Sequence, residues 1–535
     1  MPWSQESFRL GRRYWVAFAI LTATIGSLLA ATNAHTRQLL INTIVFAGSV
    51  ASVSLLGGFI VAVFIHRSHP FARQLVIGMI MWLLFAPAYL QVAGWLAGFG
   101  QQGIVTVWMF PNELAAILAG WPGAIWMQSI IGLPWAALIV CLGMSSIPAE
   151  LKDHNVLDGK EQAVLWQIEL RFLRPSLIGA WTWVFVTAAS DISVTDVFQI
   201  PTFAEEVYVG FALGDDLISG PVRNLPSMIM VGGLSLAAIV ACYSIERHLH
   251  HGIHPLRFGR REQQSCTPMV SALTIVIITL AVAVPLLSLI IQSGLTVNAS
   301  HSPPVRTWSL IKALQIVLTS PWRYREELAW SVVVGQAGAI STVLLAMIVT
   351  WRGRRNPVVN LLGWTVTVLG LATPGPIVAL AVTRIVNQPT IPALIYLYDE
   401  TIFAPWICLA FRMFPFAFLT FQWLVERFNP YLIDSVVIET KRPSRQIAYT
   451  LIRQLRIPLV SLWILVFALS MADLSTTILA VPPGVNTMSI RIFNLVHYGV
   501  TDQLAGLCLA TASLFGVLAQ LGYRFVPLEA DKRLT

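Results

Sequence analysis

The chain has 535 residues, of which 56% are hydrophobic and only 11% are charged. Soluble globular domains carry about 25% charged residues because their surface faces water. This composition therefore excludes a soluble globular protein and indicates an integral membrane protein. The formal net charge of +8 would suit a nucleic-acid-binding protein. Whether the basic residues serve that purpose depends on where they lie along the chain.

Twelve apolar segments are long enough to cross a hydrocarbon core, which takes about 20 helical residues. The first follows three arginines and has no small-residue cleavage site, so we expect a retained span rather than a signal peptide. In chain order the predicted spans are 12–31, 41–65, 72–97, 122–146, 177–199, 226–246, 269–291, 328–350, 358–385, 402–424, 460–480 and 503–525.

Lysine and arginine are distributed unequally between the segments that connect these spans. If the N-terminus is cytoplasmic, most of the 34 Lys and Arg residues fall in cytoplasmic segments. Since basic residues are enriched on the cytoplasmic side of membrane proteins, both termini are predicted to be cytoplasmic. This distribution explains the net charge without a nucleic-acid partner.

The two halves of the chain contain similar segments. INTIVFAGSVASVSLLGGFIVAVFIHR in the first half resembles AWSVVVGQAGAISTVLLAMIVTWRGRR in the second, and AASDISVTDVFQIP resembles LSMADLSTTILAVPP. We predict an all-α protein of two parallel six-helix repeats, with a pseudo-two-fold axis along the membrane normal and a path between the halves. The predicted domains are 1–250, a cytoplasmic linker 251–268, and 269–535. Matching residues in the two halves are Pro134 and Pro415, Pro175 and Pro458, Asp191 and Asp473, and Pro201 and Pro483.

Two polar loops, 148–177 and 430–459, occupy the same place in each half and fall on the cytoplasmic side. Each is predicted to form two short helices, broken at Asp158-Gly159 or at Pro443-Ser444, with one apolar face. Two equivalent amphipathic loops would suit a symmetric partner with two grooves, whereas solvated connectors are the alternative. The candidate docking residues are Glu150, Asp153, Asp158, Gly159, Ala163, Trp166, Leu170 and Pro175 in the first loop, and Asp434, Lys441, Pro443, Ser444, Ile447, Leu451, Leu455 and Pro458 in the second.

The first of these loops, with its Asp158-Gly159 turn and the ending LRFLRP, resembles the EAA loop. That loop marks the membrane subunits of binding-protein-dependent ABC importers. The segment ADLSTTILAVPPGVNTMSIRIFNLVHYG (472–499) resembles the ferric-iron permeases. The chain is therefore similar to a fused type I permease of the ferric-iron and thiamine branch. It departs from the family motif in both loops, for example at Lys441, where glycine is usual.

The resemblance implies a set of partners. Two copies of a P-loop ATPase, using ATP-Mg, would dock on the two loops. A periplasmic or lipid-anchored substrate-binding protein would deliver ferric iron or another small solute. The implied location is the bacterial inner membrane, with many passes and lipid contact.

The sequence itself carries no enzyme signature that we can identify. It contains no GxxxxGK(S/T), HExxH or GxSxG pattern, so ATP hydrolysis is assigned to a partner and no cofactor is expected on this chain. The five cysteines lack CxxC spacing, and no metal site is predicted. The cluster HLHHGIH (His248 to His254) fits either a metal-binding segment or, in our reading, a basic connector.

Several polar residues fall inside the apolar segments, where charged side chains are costly and usually functional. We expect these residues to line a translocation path or its gate; structural contacts between helices are the alternative. Asp191 with Thr195, and Asp473 with Thr477, are predicted to share a helix face. Arg412 would pair with one of the aspartates or bind an anionic ligand. The candidate set is Asp191, Ser193, Thr195, Arg412, Asp473, Ser475, Thr477, Pro482, Pro483 and Gly484.

Two other function classes stay open. An ion-coupled secondary transporter would also have two parallel six-helix repeats and intramembrane charges. A membrane-embedded enzyme would need a catalytic cluster, and the sequence shows no paired carboxylates or metal-ligand spacing that would serve.

Overall fold

The computed structural model describes residues 33–109, 116–145, 170–212, 229, 232–233, 267–298, 305–388, 390–426 and 453–525. The predicted span 12–31, most of the predicted span 226–246, and nearly all of the linker lie outside these residues. The described part of the chain is helical, apart from one short β-hairpin.

Among the described residues, the helices of the first half begin after Asn33. They are α1 (Ala34–Arg67), α2 (Pro70–Phe85), α3 (Ala88–Phe99), α4 (Ile104–Met109), α5 (Gly120–Ser145), α6 (Leu170–Ala189) and α7 (Phe203–Ala212).

The second half opens with α8 (Pro268–Ile278), which continues through a π-helical turn (Thr279–Ala283) into α9 (Val284–Gly294). A hairpin of β1 (Leu295–Asn298) and β2 (Val305–Trp308) follows, with Leu295 opposite Trp308. The remaining helices are α10 (Leu310–Arg323), α11 (Arg325–Gly353), α12 (Pro357–Ala372), α13 (Gly375–Val386), α14 (Pro392–Asp399), α15 (Phe403–Glu426), α16 (Arg453–Ala472), α17 (Thr477–Ala480), α18 (Met488–His497) and α19 (Asp502–Phe525).

Six helices among the described residues are long and apolar enough to cross a membrane, and the number rises to eight if each of two bent helix pairs is one span. An all-α, multi-pass membrane protein is therefore supported. The total of twelve spans, the sidedness and the type of membrane stay predictions. The six helices are Ala34–Arg67, Gly120–Ser145, Pro268–Gly294, Arg325–Gly353, Phe403–Val425 and Asp502–Tyr523.

Two predicted spans, 72–97 and 358–385, are not continuous helices. The chain bends by 102° between α2 and α3 and by 111° between α12 and α13. Each bend falls at a proline, Pro87 or Pro374, and the residue before it is extended. A proline ring disfavours helical backbone in the preceding residue, which is why a single apolar run divides here.

Two further predicted spans, 177–199 and 460–480, end earlier than expected. Helix α6 stops at Ala189 and α16 stops at Ala472. Asp191 and Asp473 therefore lie in turns that follow the helices, and the prediction that each shares a helix face with its threonine is wrong. Asp, Ser and Thr side chains compete for backbone hydrogen bonds and favour such turns.

The helices of the two halves correspond in length and order. The bent pairs α2–α3 and α12–α13 both consist of 16 and then 12 residues. Helices α6 and α16 both have 20 residues, and Pro175 and Pro458 are the sixth residues of their helices, in the second turn. In the first half α1, α5 and α6 pack together, and in the second half α11, α15 and α16 do the same. Between the halves, α19 packs on α2, and α9 packs on α3.

Candidate functional site: a polar cavity between the two halves

The bend between α2 and α3 frees backbone carbonyls at the end of α2, because no helical N–H follows to bond them. The side chain of Gln91 in α3 turns back to meet them. Its Nε2 donates to the carbonyl oxygens of Leu83 (3.3 Å) and Ala86 (3.0 Å). An amide therefore closes the bend in the first half.

The equivalent bend in the second half is closed by a guanidinium. Nη1 of Arg412, in α15, donates to the carbonyl oxygens of Gly370 (3.1 Å) and Thr373 (2.9 Å). These two carbonyls stand at the same positions of α12 as Leu83 and Ala86 in α2. A cation at a helix C-terminus is favourable because it complements the helix dipole.

Arg412 also reaches across to the first half, where its Nη2 donates to Oγ of Ser190 (2.9 Å). Within the described residues its hydrogen bonds go to two carbonyls and one hydroxyl, and no carboxylate is its ion-pair partner. The structure thus gives Arg412 a capping role in place of the direct aspartate pair that we considered from the sequence.

The turns after α6 and α16 share one internal hydrogen bond, from a threonine hydroxyl to the carbonyl oxygen of the aspartate four residues earlier. Oγ1 of Thr195 donates to the carbonyl oxygen of Asp191 (3.3 Å), and Oγ1 of Thr477 donates to that of Asp473 (2.7 Å). Each aspartate carboxylate also accepts a backbone N–H from its own turn, from Ser193 or from Thr476. The two turns are therefore similar, although Asp191 accepts from the N–H two residues on and Asp473 from the N–H three residues on. Thr195 and Thr477 are buried within them.

Asp191 is the more heavily bonded of the two aspartates. Its Oδ1 accepts from Oγ of Ser193 (2.9 Å) and from Oγ of Ser475 (3.1 Å), and its Oδ2 accepts from Nε2 of Gln128 (3.3 Å). Since Ser475 belongs to the second half, this carboxylate joins the two halves. Oε1 of Gln128 is buried and has no hydrogen-bond partner among the described residues.

These groups surround a cavity of about 170 Å³ between the halves. Its wall includes both aspartates, both serines of the turns and Arg412. The apolar part comes from the α2–α3 bend and from α5, α6, α15 and α16. The principal lining residues are Leu83, Pro87, Gln128, Ile131, Trp135, Asp191, Ser193, Arg412, Phe416, Asp473 and Ser475.

The structure brings half of the ten predicted path residues together at one cavity, whereas Thr195 and Thr477 are buried within the two turns and do not line it. Asp191, Ser193, Arg412, Asp473 and Ser475 line the cavity. Pro482, Pro483 and Gly484 form a turn away from it, in which the N–H of Val485 bonds the carbonyl oxygen of Pro482 (3.2 Å). Gly484 has φ +84°, a conformation that favours glycine.

A second cavity, of about 500 Å³, was missed by the sequence analysis. It lies where the C-terminal ends of α3 and α18 meet the segments 116–120 and 197–199. Three residues with positive φ line it, namely Gly120, Gln199 and Gly499. Gly100 after α3 and Gly499 after α18 are the sequence signals that could have indicated it, because glycine often follows the end of a helix.

An ion pair joins the halves beside this second cavity. Nε2 of His497 lies 3.0 Å from Oδ2 of Asp196. The hydrogen bond to Asp196 raises the pKa of His497 above its ordinary value, against an opposing effect of partial burial. Nearby, burial raises the pKa of Glu205 to about 7, helped by the negative charges of Asp196 and Glu206.

The predicted ATPase-docking residues fall mainly outside the described part of the chain. Pro175 and Pro458 lie in the second turns of α6 and α16, and Leu170 and Leu455 belong to the same helices. Outside the described residues are Glu150, Asp153, Asp158, Gly159, Ala163, Trp166, Asp434, Lys441, Pro443, Ser444, Ile447 and Leu451.

Metal ligands do not gather in the part of the molecule that the structure describes: it has no group of three or more His, Cys, Asp or Glu side chains placed to hold an ion. No family model, curated protein or solved structure matches the chain.

Proposed function

We propose that this chain is the membrane permease of an ATP-driven importer of the binding-protein-dependent type. A solute would pass between the two halves, and the polar cavity would act as the gate. The observation that carries the proposal is the meeting of two equivalent aspartate turns, one from each half, at one cavity on the boundary between them. The resemblance of the loop 148–177 to the EAA loop supports an ATPase as the source of energy.

The hydrogen bonds across the cavity suggest how such a gate would work. The halves are joined there by the bonds Arg412–Ser190 and Ser475–Asp191. A relative movement of the halves would break these bonds and leave a carboxylate, a guanidinium and two hydroxyls facing the path. Unpaired polar groups at this depth are costly. We therefore expect the closed arrangement to re-form once the solute has passed.

The substrate is proposed on the resemblance alone, as ferric iron or another small solute handed over by a binding protein. ATP hydrolysis is assigned to two copies of a P-loop ATPase on the cytoplasmic loops. The location proposed is a bacterial inner membrane.

The first experiment is purification of the full chain from its native membrane in mild detergent, with mass spectrometry of the proteins that accompany it. We expect a P-loop ATPase at about two copies per chain. Substitutions Gly159→Trp and Leu451→Asp should release it, whereas Thr319→Ala, on a helix that we place on the opposite side, should not. A chain that purifies alone under several gentle conditions would contradict the importer proposal.

A secondary transporter is the second candidate, and the carboxylates of Asp191 and Asp473 at the cavity favour it. Buried carboxylates often carry protons in transporters of this kind. Reconstituted vesicles separate the two proposals, because uptake would follow an imposed pH or sodium gradient without ATPase or ATP.

A further inference from the structure

Helix α10 (Leu310–Arg323) occupies the connection between two candidate spans. The helix α8–α9 ends at Gly294, and α11 begins at Arg325. Because consecutive spans leave and re-enter the bilayer on the same side, the hairpin and α10 between them lie at one face of the membrane. Helix α10 packs against α9 and α19 there.

One face of α10 is fixed to the protein. Ala313 and Ser320 are 6% and 3% exposed, and Ile316 lies against Gly506 of α19 so closely that a Cβ there would be 2.2 Å from its Cγ2. Nζ of Lys312 forms an ion pair with Asp502 at the start of α19 (2.7 Å). These contacts hold α10 at the end of a spanning helix and fix its rotation about its own axis.

The fixed rotation turns a continuous apolar face outward. Ile311, Leu318 and Trp322 are 78%, 75% and 79% exposed. They recur at intervals of seven and four residues, so they lie on one face of the helix, with Leu310 and Leu314 at its edge. Thr319 and Arg323 lie on a separate flank, between this apolar face and the face that packs on the protein.

An exposed apolar face of this kind requires a partner, since soluble surfaces rarely carry large apolar patches. The surroundings of α10 identify the partner as lipid. At the adjoining ends of the two spans, Leu287 and Ile291 of α9 and Val333 of α11 are also exposed, and residues of candidate spans that face outward face the bilayer. Tryptophan is enriched where lipid meets water, and Trp308 and Trp322 lie just before α10 and near its end.

We propose that α10 is an in-plane membrane helix that lies at the boundary between lipid headgroups and acyl chains. Ile311, Leu318 and Trp322 enter the lipid, the Thr319 flank faces the headgroups and water, and Ala313 and Ser320 pack on the spans. The amphipathic pattern with one apolar and one polar flank is typical of such helices. The inference does not depend on the transport proposal, because it concerns only the placement of α10 in the bilayer.

Photo-crosslinking in vesicles tests the placement. The full chain is made with the photoreactive amino acid p-benzoylphenylalanine at position 318 or, as the matched control, at position 319, and is reconstituted in phosphatidylcholine and phosphatidylglycerol vesicles. Both positions are exposed, so both variants should fold. After irradiation we expect phospholipid adducts at position 318 at several times the yield at position 319. A third variant, with the label at position 311, should behave like position 318.

The other outcomes would overturn the placement. Equal lipid adducts at positions 318 and 319 would show that α10 is not oriented in the interface. A covalent dimer from position 318 would assign the apolar face to a second copy of the chain. In native membranes, an adduct with a soluble protein in place of lipid would assign it to a protein partner.

Discussion

Arg412 has two roles that can be tested separately. It donates hydrogen bonds to the carbonyls at the end of α12, and it places a cation on the wall of the cavity. Arg412→Lys keeps a charged donor of similar reach, whereas Arg412→Met leaves the carbonyls of Gly370 and Thr373 without this donor. A buried group that loses its partner costs about 1–3 kcal/mol, so we expect the Met variant to unfold at a lower temperature than the Lys variant. Thermal unfolding in detergent measures this difference, and equal midpoints would contradict the capping role.

His497 gives the molecule a pH-dependent bond between its halves. Because the bond to Asp196 raises the pKa of His497, its contribution to stability is complete below the ordinary value of 6.5 and is lost as the pH rises through the raised pKa. The melting temperature of the wild type should therefore exceed that of His497→Gln most at low pH, and the difference should shrink as the pH increases. Asp196→Asn removes the same bond and serves as the second variant. A difference independent of pH would exclude this origin.

At the scale of helices, apolar length alone located most of the described elements but not where they stop. The bounds of α5 and α11 and the end of α1 lie within a few residues of the apolar runs, because each run ends at polar or charged residues, whereas α1 begins at Ala34, before the run that starts at residue 41. The bends at Pro87 and Pro374 were missed because the residues around each proline are as apolar as the helices. The early ends of α6 and α16 were missed for a related reason: Asp191 and Asp473 were interpreted as charges within a span. The meeting of the two turns depends on packing between distant segments, which no local pattern encodes.

The start of α13 is held against the turn after α16, and Gly375 makes this approach possible. A Cβ at position 375 would be 2.7 Å from Cβ and 2.8 Å from the carbonyl carbon of Ser475. Since a backbone atom cannot move away by changing rotamer, we expect Gly375→Ala to lower the stability by roughly 1–3 kcal/mol. Gly48→Ala is the control, because that position has open space around it inside α1 and alanine favours a helix. The two melting temperatures should move in opposite directions, and a stable Gly375→Ala would show that the turn yields easily.

In the whole molecule, two halves of matching helices meet at a cavity whose chemistry is not symmetric. Arg412 and Ile131 both stand three residues before the proline of their helices, α15 and α5, and both line the cavity. A cation in one half thus faces an aliphatic side chain at the matching position of the other. This difference between Arg412 and Ile131 also explains why the two bends are closed by different side chains. The second half can use Arg412, whereas the first half has an isoleucine there and uses Gln91.

The same asymmetry predicts that the two equivalent aspartates differ in their effect on stability. Asp191 accepts hydrogen bonds from Gln128, Ser193 and Ser475, whereas the carboxylate of Asp473 accepts one, from the N–H of Thr476. Hydrogen bonds to charged groups contribute about 1.5–3 kcal/mol each, so Asp191→Ala should lower the melting temperature more than Asp473→Ala.

Both variants should insert into the membrane and both should lose transport, because both carboxylates line the cavity. Melting curves and uptake by reconstituted vesicles measure the two effects separately. Equal losses of stability would contradict the asymmetry, and full transport by Asp473→Ala would remove this cavity from the path.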